Sequence, residues 1–179
     1  AKSSMPYLKK GVGARPSGMG NTFVAIADDA TNTYWNPAGL GMPDPDEIQI
    51  SSMLSKISFD RTYGFLSITQ QLEENWGSVG ISWYHFRIGQ LESRDENGNQ
   101  LTNFDNFENT IIMSYGKNIG YNLNAGMNIK YYDQRLGEYR AWGIGSDFGI
   151  LFQIFSFTRF GMTIQDINTG LFWNTGKRD

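Results

Sequence analysis

Residues 13–41 read GARPSGMGNTFVAIADDATNTYWNPAGLG and hold most of the residue types in this chain that could do chemistry. Gly13 and Gly18 have the spacing of a phosphate loop. However, Met19-Gly20 stands where a Lys and a Ser or Thr must clamp the phosphate and its metal. Gly11-Val12-Gly13 is followed by Pro16 rather than a third glycine, and no strand–helix–strand pattern follows, which argues against dinucleotide binding. Asp28-Asp29 could be an acid pair. Adjacent side chains on a helix do not face each other, so the expectation is one exposed carboxylate and one bonded to nearby backbone.

Elsewhere the prospects for catalysis are thinner. His85 is the only histidine and lies between Tyr84 and Phe86, where an interfacial role outweighs catalysis. Cysteine is absent, which removes disulfides and thiolate metal sites, and one histidine makes a poor zinc site. No Gly-x-Ser-x-Gly elbow occurs. Asp95, Asn97 and Asn99 imitate a calcium loop, but Gln100 replaces its glycine and Asn106 stands where the bidentate Glu belongs. The expectation is a non-enzymatic protein with no cofactor and no metal. A net charge of −3 argues against nucleic acid as a partner.

The elements that would position these residues fall into two parts, 1–47 and 48–179. The first is proline-rich (Pro6, Pro16, Pro37, Pro43 and Pro45) and shows little alternation. Asn21 or Thr22 could cap a short helix running through Asp29 or Thr33, with Phe23, Ile26, Ala27 and Ala30 on one face. Asn36-Pro37 breaks it, and Gly39 and Gly41 allow a tight reversal.

From Ile48 the period is two. Tyr121, Leu123, Ala125, Met127, Ile129 and Tyr131 alternate with Asn122, Asn124, Gly126, Asn128, Lys130 and Tyr132. Strict alternation predicts a strand with one apolar and one polar face. Trp76–Phe86 and Trp142–Phe152 repeat the design; Ile48–Ser55, Tyr63–Thr69, Glu108–Tyr115 and Phe160–Asn168 do so more weakly. The spacing predicts seven strands. Gly116–Gly120 reads as a tight turn, Ser58–Asp60 as a brief link, Asp133–Arg140 as an intermediate connection and Arg87–Phe107 as a long polar one containing Asn97-Gly98. No apolar run approaches the roughly 18–20 residues a membrane helix needs. The polar face is rich in Gly, Ser and Asn, which suits the lumen of an antiparallel transmembrane β-barrel with its apolar row toward lipid. A soluble β-sheet lipid- or surface-binding module has the same alternation with the faces reversed.

The N-terminal segment resembles the signature of the PorV/PorQ group of outer-membrane proteins, which belong with the FadL-like barrels. The matching residues are Gly13-Ala14-Arg15, Gly18-Met19-Gly20, Ala25, Ala27-Asp28-Asp29-Ala30 and Trp35-Asn36-Pro37-Ala38-Gly39-Leu40. Similarity continues through Leu123–Tyr132, Gly145–Leu151 and Ile164–Gly170. The resemblance implies a roughly 14-stranded barrel, inside the range of such proteins, of which this chain carries about half. It also implies that residues 1–47 form a hatch entering that barrel. The hatch motif would comprise Gly18, Met19, Gly20, Asp28, Asp29, Trp35, Asn36, Pro37, Ala38 and Gly39. The role implied is non-enzymatic: envelope transport and delivery of proteins by the type IX secretion system, in the outer membrane of a Gram-negative-type bacterium. Expected partners are the outer-membrane bilayer, secretion-system proteins or secreted cargo. A FadL-like channel for long-chain fatty acids or other hydrophobic small molecules is the alternative, with Met19, Phe23, Tyr34 and Trp35 as ligand contacts.

Overall fold

The computed structural model describes residues 6–42, 48–58, 60–72, 76–94, 97–155 and 157–176. Seven strands form one antiparallel sheet in chain order: β1 (Ile48–Ile57), β2 (Arg61–Gln71), β3 (Ser78–Arg94), β4 (Gln100–Gly120), β5 (Leu123–Leu136), β6 (Tyr139–Phe155) and β7 (Thr158–Trp173). Every expected strand forms, and each is longer than its alternating stretch. The added residues are mostly polar, so hydrophobic period could not reveal them.

Three expected connections are corrected. Gly116–Gly120 is not a turn but the end of β4, and Gly116 sits opposite Gly126. The reversal is made by Tyr121 and Asn122, both left-handed at φ 51° and 60°. Two consecutive positive φ values are what a two-residue hairpin turn needs to match the strands' twist. Tyr121 therefore leaves the strand it was expected to open. Arg87–Phe107 is mostly strand: β3 and β4 go on pairing past Ile88 and Asn106, where β2 and β5 have ended. Asp133–Arg140 shrinks to a short turn at Gly137, φ 57°.

The two faces of the sheet are unlike. One side buries Ser67, Ser82, Thr110, Ser114, Asn128, Lys130, Gln134 and Asp147. The other exposes Ile81, Trp83, Ile111, Met113, Ile129, Trp142, Ile144, Phe148 and Ile150, each 41–55% accessible. The polar residues are covered by the chain's own N-terminal segment.

That segment fixes the shape of the sheet. Tyr34 packs its ring on Phe65 of β2 and takes a hydrogen bond on its carbonyl from Gln165 of β7 at 3.0 Å. In a flat sheet β2 and β7 would lie about 24 Å apart at ~4.8 Å per strand. Side chains that stand off the same face cannot bridge that gap, so the sheet curls around the segment. β1 and β7 are its two open edges.

The segment itself is folded differently from expectation. No helix runs from residue 22 to 33. There are two short helices, α1 (Ala14–Gly18) and α2 (Asn32–Trp35), and two 3-10 turns, Pro6–Lys10 and Pro37–Gly41. Ala27 is left-handed at φ 35°, which no helix interior accepts. Asn36 is extended and α2 stops before it, as the Asn36-Pro37 pair predicted.

Candidate functional site: the seat of the N-terminal segment

Three kinds of contact hold the segment in the curled sheet. The first is a lane of glycines. Gly116, Gly126 and Gly149 are direct cross-strand neighbours on β4, β5 and β6. With no side chains there, the turn Pro37–Gly41 lies on the sheet backbone. A Cβ at Gly126 would overlap the Pro37 carbonyl, one at Gly116 would meet Pro37 and Leu40, and one at Gly149 would meet Asn36. From the segment's side, Gly41 lies equally close to the Lys117 backbone. Here glycine serves close approach rather than a turn.

The second contact is Asn36, which is fully buried. Its Nδ2 donates to the Val24 carbonyl at 2.9 Å and to the Ile150 carbonyl on β6 at 3.1 Å. Its Oδ1 accepts from Ala38 N at 3.1 Å. One amide thus caps the 3-10 turn and ties two parts of the segment to the sheet. Asn36→Ala removes three side-chain hydrogen bonds, the cap of the 3-10 turn among them. The expected cost is about 2–3 kcal/mol, read as a lowered midpoint of thermal unfolding.

The third contact is a buried polar network. Thr33, buried, meets Ser82 Oγ at 2.6 Å and Ser67 Oγ at 3.3 Å. Asn128 Nδ2 donates to the Thr33 carbonyl and to Asp147 Oδ2, each at 2.8 Å. Lys130 Nζ lies 2.9 Å from Asp147 Oδ2 and 3.0 Å from Asp166 Oδ1. Tyr132 donates to Asp166 Oδ1 at 2.8 Å, and the Asp166 amide donates to Asp147 Oδ1 at 2.9 Å. Lys130 and Asp147 are almost completely buried, their charges matched by each other and by these bonds.

A bulge makes this network possible. Ser146 pairs with Ile167 and Phe148 with Ile164, so two residues of β7 oppose the single residue Asp147. The extra residue re-aims Asp166, at φ 57°, toward Lys130 and Tyr132 on β5, two strands away.

Aromatic residues complete the packing. Tyr7 stacks on Phe86 at 6.2 Å and bonds Thr110 at 2.8 Å. Tyr34 stacks on Tyr84 at 6.2 Å, donates to the Leu8 carbonyl and accepts from Gly11 N at 3.1 Å. Burial pushes the Tyr34 hydroxyl up to about 12, so it stays a donor at neutral pH. Trp35 Nε1 donates to the Val12 carbonyl at 3.0 Å, and Phe23 packs edge-on against Trp35.

The residues expected to matter are therefore divided. Trp35, Asn36, Pro37, Ala38 and Gly39 come together against or beside the sheet, all buried. Asp28 is the exposed carboxylate of the pair, and it also meets Arg15 at 2.5 and 3.1 Å. Asp29 accepts from the Thr31 backbone amide at 2.8 Å, the local bond anticipated for one of the pair. Gly18, Met19 and Gly20 sit apart on an exposed lobe, with nothing near the two glycines. Gly18→Ala fills open space at a helical position and is expected to be neutral or stabilising by up to about 1 kcal/mol in the same unfolding assay. Tyr34 and Trp35 line a cavity of about 320 Å³ with Leu8, Lys9, Val24 and Lys130; Met19 and Phe23 do not. Among the described residues no cluster of three or more His, Asp or Glu could hold a metal; Asp95 lies outside them.

A curled antiparallel wall, apolar without, mixed polar and aromatic within, and filled by its own N-terminal segment, defines a β-protein whose large apolar side chains face outward as well as inward. The chain belongs to the family described as type IX secretion system protein PorV, whose model matches residues 1–150. That match takes in the N-terminal segment, β1 to β5 and most of β6. Comparison with the curated proteins and with the solved structures finds no match.

Proposed function

We propose that this chain contributes the hatch, residues 1–47, and seven strands, within 48–179, of an outer-membrane β-barrel that serves type IX secretion without catalysing a reaction. The single observation that carries the membrane part is the outer face: a row of large apolar side chains points outward from β3 to β6, away from the packed interior. Trp142 to Phe152 on β6 spans about 34 Å of strand at 3.4 Å per residue. At the 35–45° tilt of membrane strands that becomes roughly 26 Å, close to the apolar height of such barrels. The edges of β1 and β7 carry unpaired backbone groups that hydrocarbon cannot satisfy. This supports closure of the wall by further strands, and the family resemblance supports a total near 14.

Family membership supports a role in delivering secreted cargo through contacts with other secretion proteins. A channel for hydrophobic small molecules is the second reading; the cavity beside Tyr34 and Trp35 offers it room, but Lys9, Asn21, Lys130, Gln165 and Asp166 share the lining and suit a polar occupant better. A soluble surface-binding module fits poorly, because so many large apolar side chains face away from the core. Deleting the gene is expected to keep cargo proteins from reaching the cell surface, while the tagged wild-type protein fractionates with outer membrane as a heat-modifiable band. Normal surface delivery in the deletion strain would overturn the secretion role. Hydrophobic compound found only in the wild-type preparation would favour the channel.

A further inference from the structure

Strand register builds a charged row on the outer face. Lys56, Thr62, Arg87, Phe107, Arg135 and Arg140 are successive cross-strand partners from β1 to β6, so they share one level and one side. Four of these are cations, and all four are exposed. The next outward-facing row toward the β4–β5 turn holds His85, Asn109, Asp133 and Trp142; the one after it holds Leu66, Trp83, Ile111, Tyr131 and Ile144. The cations thus stand just past the end of the apolar band, above its aromatic residues. Toward the other end of that band, Lys117 is the only outward cation on β4 to β6 among the described residues.

Arg135 and Arg140 face each other directly across β5 and β6. Like charges so placed repel. Arg87 has its own carboxylate, Asp105 at 2.8 Å. Among the described residues neither Arg135 nor Arg140 makes a salt bridge, although Asp133 lies one row away; Arg135 bonds only the Gly137 carbonyl, at 3.4 Å. Two guanidinium groups opposed at the edge of an apolar band are suited to one bridging oxyanion with an apolar body below it. A phosphorylated lipid headgroup has that chemistry.

We propose that Arg135 and Arg140, with Lys56 further along the row, bind the phosphate groups of lipid headgroups at this rim of the wall. This rests on the membrane reading above. The test uses the full-length protein reconstituted in neutral-lipid nanodiscs and titrated with diphosphoryl lipid A or its dephosphorylated form, with bound lipid read by native mass spectrometry. The wild type is expected to prefer the diphosphoryl form. Arg135→Gln with Arg140→Gln should lower its retention on the order of 10-fold while leaving insertion unchanged. Arg140→Gln alone, should the double variant misfold, is expected to give about a 3- to 5-fold loss. An inserted protein with equal retention of both lipids, or an inserted variant that binds as the wild type does, overturns the proposal. Competition by inorganic phosphate as strong as that by the lipid overturns the lipid as its source. A wild type that fails to insert at all overturns the membrane reading instead.

Discussion

Gly126→Leu is expected to unseat the N-terminal segment while the strands still pair. Gly126 lies mid-strand in β5, its cross-strand partners are Gly116 and Gly149, and its missing side chain is replaced by the Pro37–Ala38 peptide. The clash is backbone against Cβ, so no rotamer change relieves it. Leucine adds three more carbons that can go only where the 3-10 turn now sits. Strand pairing uses Gly126 backbone groups and does not need the glycine. Overpacking of a closed core costs about 1–3 kcal/mol and occasionally more; here the relief available is departure of the segment. Thr33→Cys, buried in the seated state, gives a readout in a chain with no native cysteine. Its maleimide labelling should rise at least about 10-fold with Gly126→Leu. Gly18→Ala, also a glycine of the expected motif, should leave labelling unchanged.

Lys130→Met should be nearly as damaging, for an electrostatic reason. It leaves Asp147, fully buried, and Asp166 facing each other across the bulge without their shared cation. Removing one partner of a buried ion pair typically costs about 3–5 kcal/mol, whereas removing all the charges can be close to neutral. Lys130→Met with Asp147→Asn and Asp166→Asn is therefore expected to recover most of the loss. Thermal unfolding of the two proteins side by side checks this. Equal destabilisation of both would mean that shape rather than charge holds the network.

How much of this was legible in the sequence depended on periodicity. Leu123 to Tyr132 alternates strictly, and β5 carries the predicted residues on the predicted faces. The ribbon beyond Ile88 and Asn106 reads as a loop because both faces of a projecting hairpin are solvated, so polar residues occupy most positions and Leu91, Leu101 and Phe104 set no period. Gly116 was read as a turn because sequence alone does not separate a glycine used for left-handed φ from one used for close approach. Its alignment with Gly126 and Gly149 depends on register, which the Tyr121–Asn122 turn sets. The helix expected after Thr22 failed because Phe23, Ile26, Ala27 and Ala30 are apolar for burial inside the sheet and not for one face of a helix. Asn36-Pro37-Ala38 was legible as a fixed turn, and the structure shows what it is fixed to. The Lys130–Asp147–Asp166 network was not legible. Its third member reaches the cluster only through a bulge, which interrupts the very period from which strands are read. A signal did exist in part: Lys130 and Asp147 are the charges on faces otherwise filled mostly by Asn and Gly.

The central claim is that the outward apolar row meets lipid, and a nitroxide scan tests it most directly. Single cysteines replacing Met127, Ile129, Phe148 and Ile150, spin-labelled in the reconstituted full-length protein, would report collisions with oxygen and with a water-soluble nickel chelate. The account predicts that all four positions give high oxygen and low nickel collision rates. Nickel-accessible labels at Met127, Ile129 and Ile150, or a protein that stays dissolved and compact without detergent, would contradict it.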